Sequence, residues 1–321
     1  MARRARIIVV SSTDRARHAH RNRRFTRRDR ALGKAAEMGI DIRFWGVRGS
    51  IASPGPRTAG VGGNTSCVEV RCGDRVLVLD VGTGARALGE RLAREGVEDV
   101  QVLLSHLHWD HIQGLPFFAP AWIPGRRVTV RGAPSTSTPG LSLEGSIAAQ
   151  MMPPHFPVRL EDMRATIGFE EIAIGRDLAL DDVSVRAARL AHPGGVLGWR
   201  IEHAGRSVVY ATDTEHVAGG EPDATLVELA RDADVLIYDA MDTDAEHAAR
   251  VGWGHSTWRA GVAVADAARV GQLVLFHHDP QRDDEAVEAI ERAAAERRHG
   301  TIAAREGMVI GLGGRREARA A

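Results

Sequence analysis

A layered α/β fold is predicted by three features of this 321-residue sequence. Short apolar runs rich in Val, Ile and Leu recur along the chain and read as strands. Amphipathic segments with apolar residues three and four apart lie between them and read as helices. Histidines and aspartates directly follow several strand runs, the place where layered α/β folds usually put ligands and catalysis. The densest group is His106-Leu107-His108-Trp109-Asp110-His111, after the strand run Val100-Gln101-Val102-Leu103-Leu104. Imidazoles and a carboxylate suit borderline divalent metals such as Zn²⁺, and one loop carrying four such groups can serve two adjacent ions.

Asp41 to Trp45 reads as the first patterned strand, followed by a Gly- and Pro-rich loop from Gly46 to Asn64 that allows close backbone approach to a pocket. Thr65 to Arg71 and Arg75 to Val81 form a hairpin turning at Cys72-Gly73-Asp74. An amphipathic helix from Ala85 to Glu95 places Leu88 and Leu92 on one face. After the His-rich loop comes a strand from Arg127 to Arg131. Between Leu141 and Arg164 a helix runs into Met151-Met152-Pro153-Pro154-His155-Phe156-Pro157, whose prolines exclude regular structure. This loop is expected to hang over the site, where His155 could touch substrate or, the preferred reading, is a half-exposed histidine with no metal role.

Val183 to Leu190 alternates Val183, Val185 and Ala187 with polar neighbours and delivers His192 at its end. Leu197 to Ile201 and Ser207 to Ala211 make the next hairpin, and its second strand delivers Asp213. Pro222 to Arg231 reads as a helix, and Val235 to Tyr238 as a strand leading to Asp239. Ser256 or Thr257 can cap a helix from Trp258 to Arg269. Gln272 to Phe276 delivers His277-His278-Asp279, Asp283 to Arg298 is an amphipathic helix, and Ile302 to Gly311 is a final strand region.

Composition sets the class. A hydrophobic content of 44% supports a sizeable core, and residues 40–314 read as one domain. No apolar run approaches the roughly 20 residues that span a bilayer, so a cytoplasmic protein without a membrane partner is expected. The only cysteines, Cys67 and Cys72, read as small buried residues rather than a disulfide framework. The formal net charge of zero conceals an asymmetry. Residues 1–37 carry eleven arginines and Lys34 against Asp14, Asp29 and Glu37, a surplus of nine positive charges balanced by an acidic body. Residues 1–39 therefore read as a basic, disordered arm, or as the product of a start placed upstream of Met38; residues 315–321 read as a frayed tail.

His106, His108, Asp110, His111, His192, Asp213 and one of His277 or His278 all follow predicted strands. Strands ending at one edge of a sandwich would bring these N and O donors together in the number that two metals with a shared carboxylate require.

His106-Leu107-His108-Trp109-Asp110-His111 matches the HxHxDH motif of the metallo-β-lactamase fold superfamily, and Leu190-Ala191-His192, Tyr210-Ala211-Thr212-Asp213 and Leu275-Phe276-His277 resemble its later ligand motifs. Gly254-His255-Ser256-Thr257, with Leu236-Ile237-Tyr238-Asp239-Ala240 before it, resembles the GHST segment of the tRNA 3′-processing endonucleases and related phosphodiesterases. The resemblance runs from about residue 41 to 312. It implies a four-layer αββα sandwich, two mixed β-sheets face to face with helices outside. It further implies that His106, His108 and His192 hold one metal, that Asp110, His111 and His277 hold the other, and that Asp213 bridges them. His277 is preferred to His278 because it falls directly after its strand; His278 and Asp279 are then candidates to orient ligands. Two divalent ions are implied, Zn²⁺ foremost, with Mn²⁺ or Fe accepted by the same donors. Such a pair makes hydroxide available near neutral pH and neutralises phosphoryl charge in the transition state. His255 is the implied general acid for the poor alkoxide leaving group, and Asp110 is counted with it as catalytic. Asp80 and Asp239 are expected to hydrogen-bond ligand histidines, while Trp45, Arg48 and Glu69 carry no assignment.

The expected function is a dinuclear, metal-dependent phosphodiesterase (a phosphoric diester hydrolase) whose substrate is a small, cyclic phosphodiester or nucleotide. The alternative is a tRNA 3′-processing endonuclease of the RNase Z type, with RNA as partner. In bacterial members of that group a substrate-gripping arm is inserted between the positions of His192 and Asp213, where this sequence has room only for a hairpin. A carbon-ester or amide hydrolase of the same fold is a further alternative, disfavoured by the GHST segment, and the complete ligand set disfavours a non-catalytic module. Dimers are common among the resembling proteins, so the resemblance also allows a homodimer.

Overall fold

Strand after strand in this chain is apolar on both faces, and in the computed structural model, which describes residues 8–10 and 39–313, both faces are covered. One sheet comprises β1 (Ile8–Val10), β2 (Ile40–Gly46), β3 (Cys67–Cys72), β4 (Arg75–Leu79), β5 (Asp99–Leu103), β6 (Arg127–Gly132) and β7 (Thr166–Glu171). The other comprises β8 (Leu178–Leu180), β9 (Val183–Leu190), β10 (Val196–His203), β11 (Arg206–Ala211), β12 (Val235–Asp239), β13 (Gln272–Phe276) and β14 (Ile302–Ala303). The last strand, β15 (Val309–Leu312), returns to the first sheet. Among the described residues the orders are β1-β15-β2-β3-β4-β5-β6-β7 and β14-β13-β12-β11-β10-β9-β8.

Each sheet is mixed in the same way. Antiparallel strands β2, β3 and β4 lead into a parallel run from β4 to β7, and antiparallel β8 to β11 lead into a parallel run from β11 to β14. Parallel neighbours need a crossover, and helices supply it. Ala85–Glu95 joins β4 to β5, Ala224–Ala230 joins β11 to β12, Trp258–Ala267 joins β12 to β13, and Asp284–Arg297 joins β13 to β14.

Alternation along the strands then builds the layers. Leu77 and Leu79 of β4, Val235 and Ile237 of β12, and Val274 and Phe276 of β13 meet in one cluster between the sheets. Val76 and Val78 face the other way, onto a cluster holding Leu88 and Leu92 of the first helix. Leu236, Leu273 and Leu275 face outward onto Leu226, Val262 and Ala265. Three apolar seams between four layers make this an αββα sandwich, as expected.

Local chemistry sets the helix ends. Gly96, at φ 75°, closes the first helix with its N–H on the carbonyls of Leu92 and Ala93. Thr257 rather than Ser256 caps the helix from Trp258, accepting from the Ala260 N–H, and Asp283 caps the helix from Asp284.

Several elements differ from the reading of the sequence. β7 and β8 carry no strong sequence pattern, because they lie at sheet edges and are only partly buried, and the helix Asp244–Ala249 is a further element beyond those read from the sequence. The final strand region divides, with Ile302–Ala303 in one sheet and Val309–Leu312 in the other. Cys67 and Cys72 are free and buried. No helix among the described residues is long and apolar enough to cross a membrane. Ile8–Val10 pairs antiparallel with β15, while the rest of the basic arm, the question of a start at Met38 and the tail from residue 314 lie outside the described residues.

Candidate metal centre

Six strand ends converge on the centre. β4 leads to Asp80, β5 to the loop from Ser105 to His111, β9 to His192, β11 to Asp213, β12 to Asp239 and β13 to His277. Asp80, Asp213 and His277 adopt left-handed backbone angles, with φ of 59°, 52° and 58°. Non-glycine residues rarely adopt this conformation, and three of them just beyond strand ends mark a place where side-chain direction overrides backbone preference.

The donor atoms fall into three groups, the atoms of each within 4.8 Å of one another: His106, His108 and His192; Asp110, His111, Asp213 and His277; and Asp213, Asp239, His255 and His277, the last two sharing Asp213 and His277. In the first, His192 Nε2 lies 3.2 Å from His108 Nδ1. In the second, Asp110 Oδ2 is 3.1 Å from His111 Nε2 and 3.2 Å from His277 Nε2. Asp213 faces both groups. Its Oδ2 is 3.2 Å from His111 and 3.3 Å from His277, while Oδ1 is 3.8 Å from His106 Nε2.

This donor set fits a cation. His106 Nε2 and His111 Nε2 are buried with no hydrogen-bond partner, and buried imidazole nitrogens are ordinarily paired. Two carboxylates and five imidazoles around a common space offer the N and O donors that divalent ions take.

Supporting contacts orient these donors. The Asp80 carboxylate accepts from His111 Nδ1 at 2.7 Å, Ser105 N and Oγ at 2.7 Å each, and the Tyr210 hydroxyl at 2.8 Å. That fixes the His111 proton on Nδ1 and leaves Nε2 facing Asp110 and Asp213. The Gly254 carbonyl does the same for His192, accepting from Nδ1 at 2.8 Å. A side chain at Gly254 would start only 2.1 Å from that nitrogen, and the residue's φ is 89°, so glycine is required twice over. Glu215 pins the same loop, accepting from the N–H groups of Gly252 and Gly254 at 2.6 and 2.7 Å. Ser50 N donates to Asp110 Oδ2 at 2.8 Å.

Charge balance follows from the geometry. Burial and then the neighbouring His111 pull His106 well below its ordinary range. Burial would do likewise to His111, but the carboxylates of Asp110, Asp213 and Asp80 outweigh it and hold this ring well above. Burial would raise Asp110 and Asp213, yet the imidazoles of His111 and His277 keep both well below the usual carboxylate range. His255 shares its Nδ1 with Asp239 Oδ2 at 3.0 Å, and against the effect of burial the carboxylates of Asp239 and Asp213 push it up to about 9.

The structure gathers His106, His108, Asp110, His111, His192, Asp213 and His277, with His255 at one side. It does not gather all that the sequence offered. His278 Nε2 bonds the Ala304 carbonyl at 3.0 Å, and burial pulls this ring down to about 3. Asp279 accepts from Arg250 and Gln281 N instead of a metal-facing imidazole. Asp239 holds His255 where a ligand histidine was expected, and His155 is exposed and outside every donor group. Ser105, Tyr210, Glu215 and Gly254 enter as supporting residues; the motifs that contain Tyr210 and Gly254 gave neither a role of its own. Arg48 is fully buried and donates to the carbonyls of Gly62, Asp279 and Arg282, tying the glycine-rich loop to the segment after His277.

A model of the family described as a beta-lactamase superfamily domain matches residues 75–278. Ribonuclease Z of Mycobacterium sp. (strain KMS) is 30% identical over 231 residues, 66% of this chain and 76% of that protein. The metallo-beta-lactamase fold protein YhfI from Bacillus subtilis superposes with a TM-score of 0.63 at 19% identity, covering 85% of this chain and 99% of that one. A diphosphatase from the PhnP family gives 0.62 at 18% identity, covering 84% and 96%. With the family match over the residues that carry the donors and the sandwich fold that positions them, this chain belongs to the beta-lactamase superfamily and is a metal-dependent hydrolase of it.

Proposed function

We propose that this protein is a dinuclear metal-dependent phosphodiesterase acting on a small, cyclic phosphodiester or nucleotide. The observation that carries the reading is His255, beside Asp213 and His277 and backed by Asp239. With Nδ1 held by the Asp239 carboxylate, Nε2 is the end free to donate, and a carboxylate facing the ring favours its protonated form, which suits protonating a poor alkoxide. His106, His108 and His192 would hold one cation and Asp110, His111 and His277 the other, with one oxygen of Asp213 toward each. Zn²⁺ suits these donors best, and Mn²⁺ or Fe are accepted by the same set. Ions bound there would acidify water and offset phosphoryl charge. Asp110 stays ionised beside His111 and His277 and supplies the negative charge that such ions need.

A recess of about 230 Å³ beside His106 and His108 supports a compact substrate. Ser135, Thr138, Ser146, Gly194 and Gly195 line it, and none of its lining residues is Lys or Arg. Hydroxyls and backbone suit an uncharged polar body such as a sugar, not a run of phosphates. Between His192 and Asp213 lies only the β10–β11 hairpin, turning at Ala204 and Gly205, so the arm by which tRNA-processing members grip RNA has no counterpart there. The second reading, a tRNA 3′-processing endonuclease, is favoured by the identity to ribonuclease Z over most of that protein's length.

A substrate panel on metal-reconstituted protein decides between them: bis-p-nitrophenyl phosphate, cyclic nucleotides, a precursor tRNA, nitrocefin and a glutathione thioester. Turnover of the small phosphodiesters with the precursor tRNA left intact is the expected result. Cleavage of the tRNA alone would establish the second reading, and turnover of nitrocefin or the thioester alone would exclude both.

A further inference from the structure

The strands of the sheet from β8 to β14 carry the arginines Arg186, Arg189, Arg200 and Arg206. Three of them sit against carboxylates: Arg186 on Asp177 at 2.9 Å, Arg200 on Glu202 at 2.7 Å and Arg206 on Asp234 at 2.9 Å. Arg189 makes no hydrogen bond or ion pair with any described residue. It continues the row Val183, Val185, Ala187 along β9 and pairs across the ladder with Leu197, and those four residues all face the core between the sheets. Three residues before His192 the row runs out of that core, and Arg189 is exposed.

The place it reaches is built of donors. Gly194 and Gly195 line the recess beside His106 and His108. No side chain fits at Gly195, because its Cβ would collide with Arg189 Nη1. At Gly194 a Cβ would lie 3.3 Å from Ser137 Oγ and 3.5 Å from Ser135 Oγ. Thr136 N ties the serine loop to this turn, donating to the Gly194 carbonyl at 3.0 Å. Ser135 Oγ accepts from Ser137 N at 3.2 Å, so its own proton remains to be donated, and the Ser137 hydroxyl has no partner among the described residues. No Asp or Glu lines the recess. A guanidinium left unpaired and backed by hydroxyl donors is complementary to an oxyanion with several acceptor oxygens.

We infer that Arg189, with Ser135 and Ser137, is a specificity-determining subsite for a second phosphate on the substrate, a phosphomonoester. The inference rests on the reading of the metal centre as a phosphodiesterase. The diester lies at the metals, the uncharged body fills the recess that His106, His108 and the glycine turn share, and a terminal phosphate on that body meets the guanidinium. The three free oxygens of a phosphomonoester match the guanidinium and both hydroxyls, where a carboxylate has only two to offer. A recess with no cation in its own lining agrees with one phosphate at the rim.

Binding tests the subsite without turnover. Calorimetric titration of the metal-loaded full chain compares adenosine 3′,5′-bisphosphate with adenosine 3′-monophosphate in the native protein, in Arg189→Ala and in Arg189→Lys. The native protein is expected to bind the bisphosphate roughly tenfold more tightly or better. That advantage vanishes in Arg189→Ala and survives in part in Arg189→Lys, which keeps the charge without the fork, while affinity for the 3′-monophosphate stays unchanged. Because Arg189 is exposed, neither substitution opens the core. Equal affinity for the two compounds in the native protein, or an advantage that persists in Arg189→Ala, would overturn the subsite. The reading of the reaction fails separately: an Arg189-dependent advantage in a protein that turns over no phosphodiester would uphold the anion subsite and overturn only the phosphodiesterase assignment.

Discussion

His106, His108 and His192 form a trio in which His108 is exposed and His192 half-buried, whereas Asp110, His111, Asp213 and His277 are all buried. The trio is built of neutral donors and opens onto the recess lined by Ser135 and Ser146. The quartet contains two carboxylates and is tied from behind by Asp80, Ser105 and Tyr210. Enclosure and charge therefore divide between the two halves. A buried cation needs compensating charge, which only the quartet supplies in full, while the trio has open space in which a substrate can approach. If the centre holds two ions as proposed, the quartet would be the tighter, less exchangeable position and the trio the more accessible one.

Asp213 links the halves, so its loss has the largest expected effect. Asp213→Ala is expected to lower metal occupancy at both positions and to leave no detectable turnover, measured by elemental analysis of purified protein alongside a phosphodiester assay. Full occupancy in that variant would refute the bridge. Next comes His255→Ala, at a residue that belongs to neither half. Metal content near wild type is expected, with kcat lowered roughly 10²- to 10⁴-fold on a substrate with a poor leaving group. Because His255 also falls within 4.8 Å of Asp213 and His277 donors, loss of metal instead would move it into the ligand set.

What could be read in advance depended on how local the signal was. The loop from His106 to His111 was legible because four donors crowd behind one strand, and the choice of His277 over His278 followed from counting from a strand end. Tyr210 was not legible, because inside β11 it reads as one more core residue and its hydroxyl meets Asp80 only across 130 positions of sequence. Glu215 and Gly254 were hidden by distance as well, since 39 residues separate the carboxylate from the N–H it accepts. β7 and β8 escaped because edge strands bury little and alternate weakly. The helix at Asp244 had a signal that went unused, for Thr243 and Glu246 form a capping box. The layers were thus readable from strand and helix periodicity, while the contacts that aim the donors were not.

Asp80→Asn tests the tie behind the quartet. The amide keeps the shape, and its oxygen can replace the Oδ2 that accepts from His111, Ser105 Oγ and Tyr210, but its NH2 group then faces the Ser105 N–H that Oδ1 accepts and the negative charge behind His111 is lost, so metal affinity is expected to fall roughly 10- to 100-fold. The loss should fall on one of two ions, read as a biphasic release under a competing chelator in which only the slow phase is accelerated. Equal acceleration of both phases would mean that enclosure does not distinguish the halves.

The smallest effect concerns charge at the edge of the quartet in chelator-treated protein. His255 is raised in the folded chain to about 9, against an ordinary value near 6.5. A group whose folded pKa exceeds its unfolded one binds its proton more tightly when folded, so its contribution is complete below pH 6.5 and is lost as pH rises through 9. Asp239→Asn removes the carboxylate facing the ring while its Oδ1 can still accept from Met241 N, a bond of 2.9 Å in the native chain. Urea unfolding at pH 6 and pH 9.5 is expected to show the native protein losing more stability across that interval than the variant, by on the order of 1–3 kcal/mol. His111 is raised too, but by Asp110 first and then Asp213 and Asp80, which the substitution leaves in place; Asp239 acts on His192 and His216 only behind burial and other groups, so the difference between the two proteins is carried mainly by His255. An identical loss in both would mean that Asp239 does not hold the proton on His255, and the acid assigned to that ring would have to be sought elsewhere.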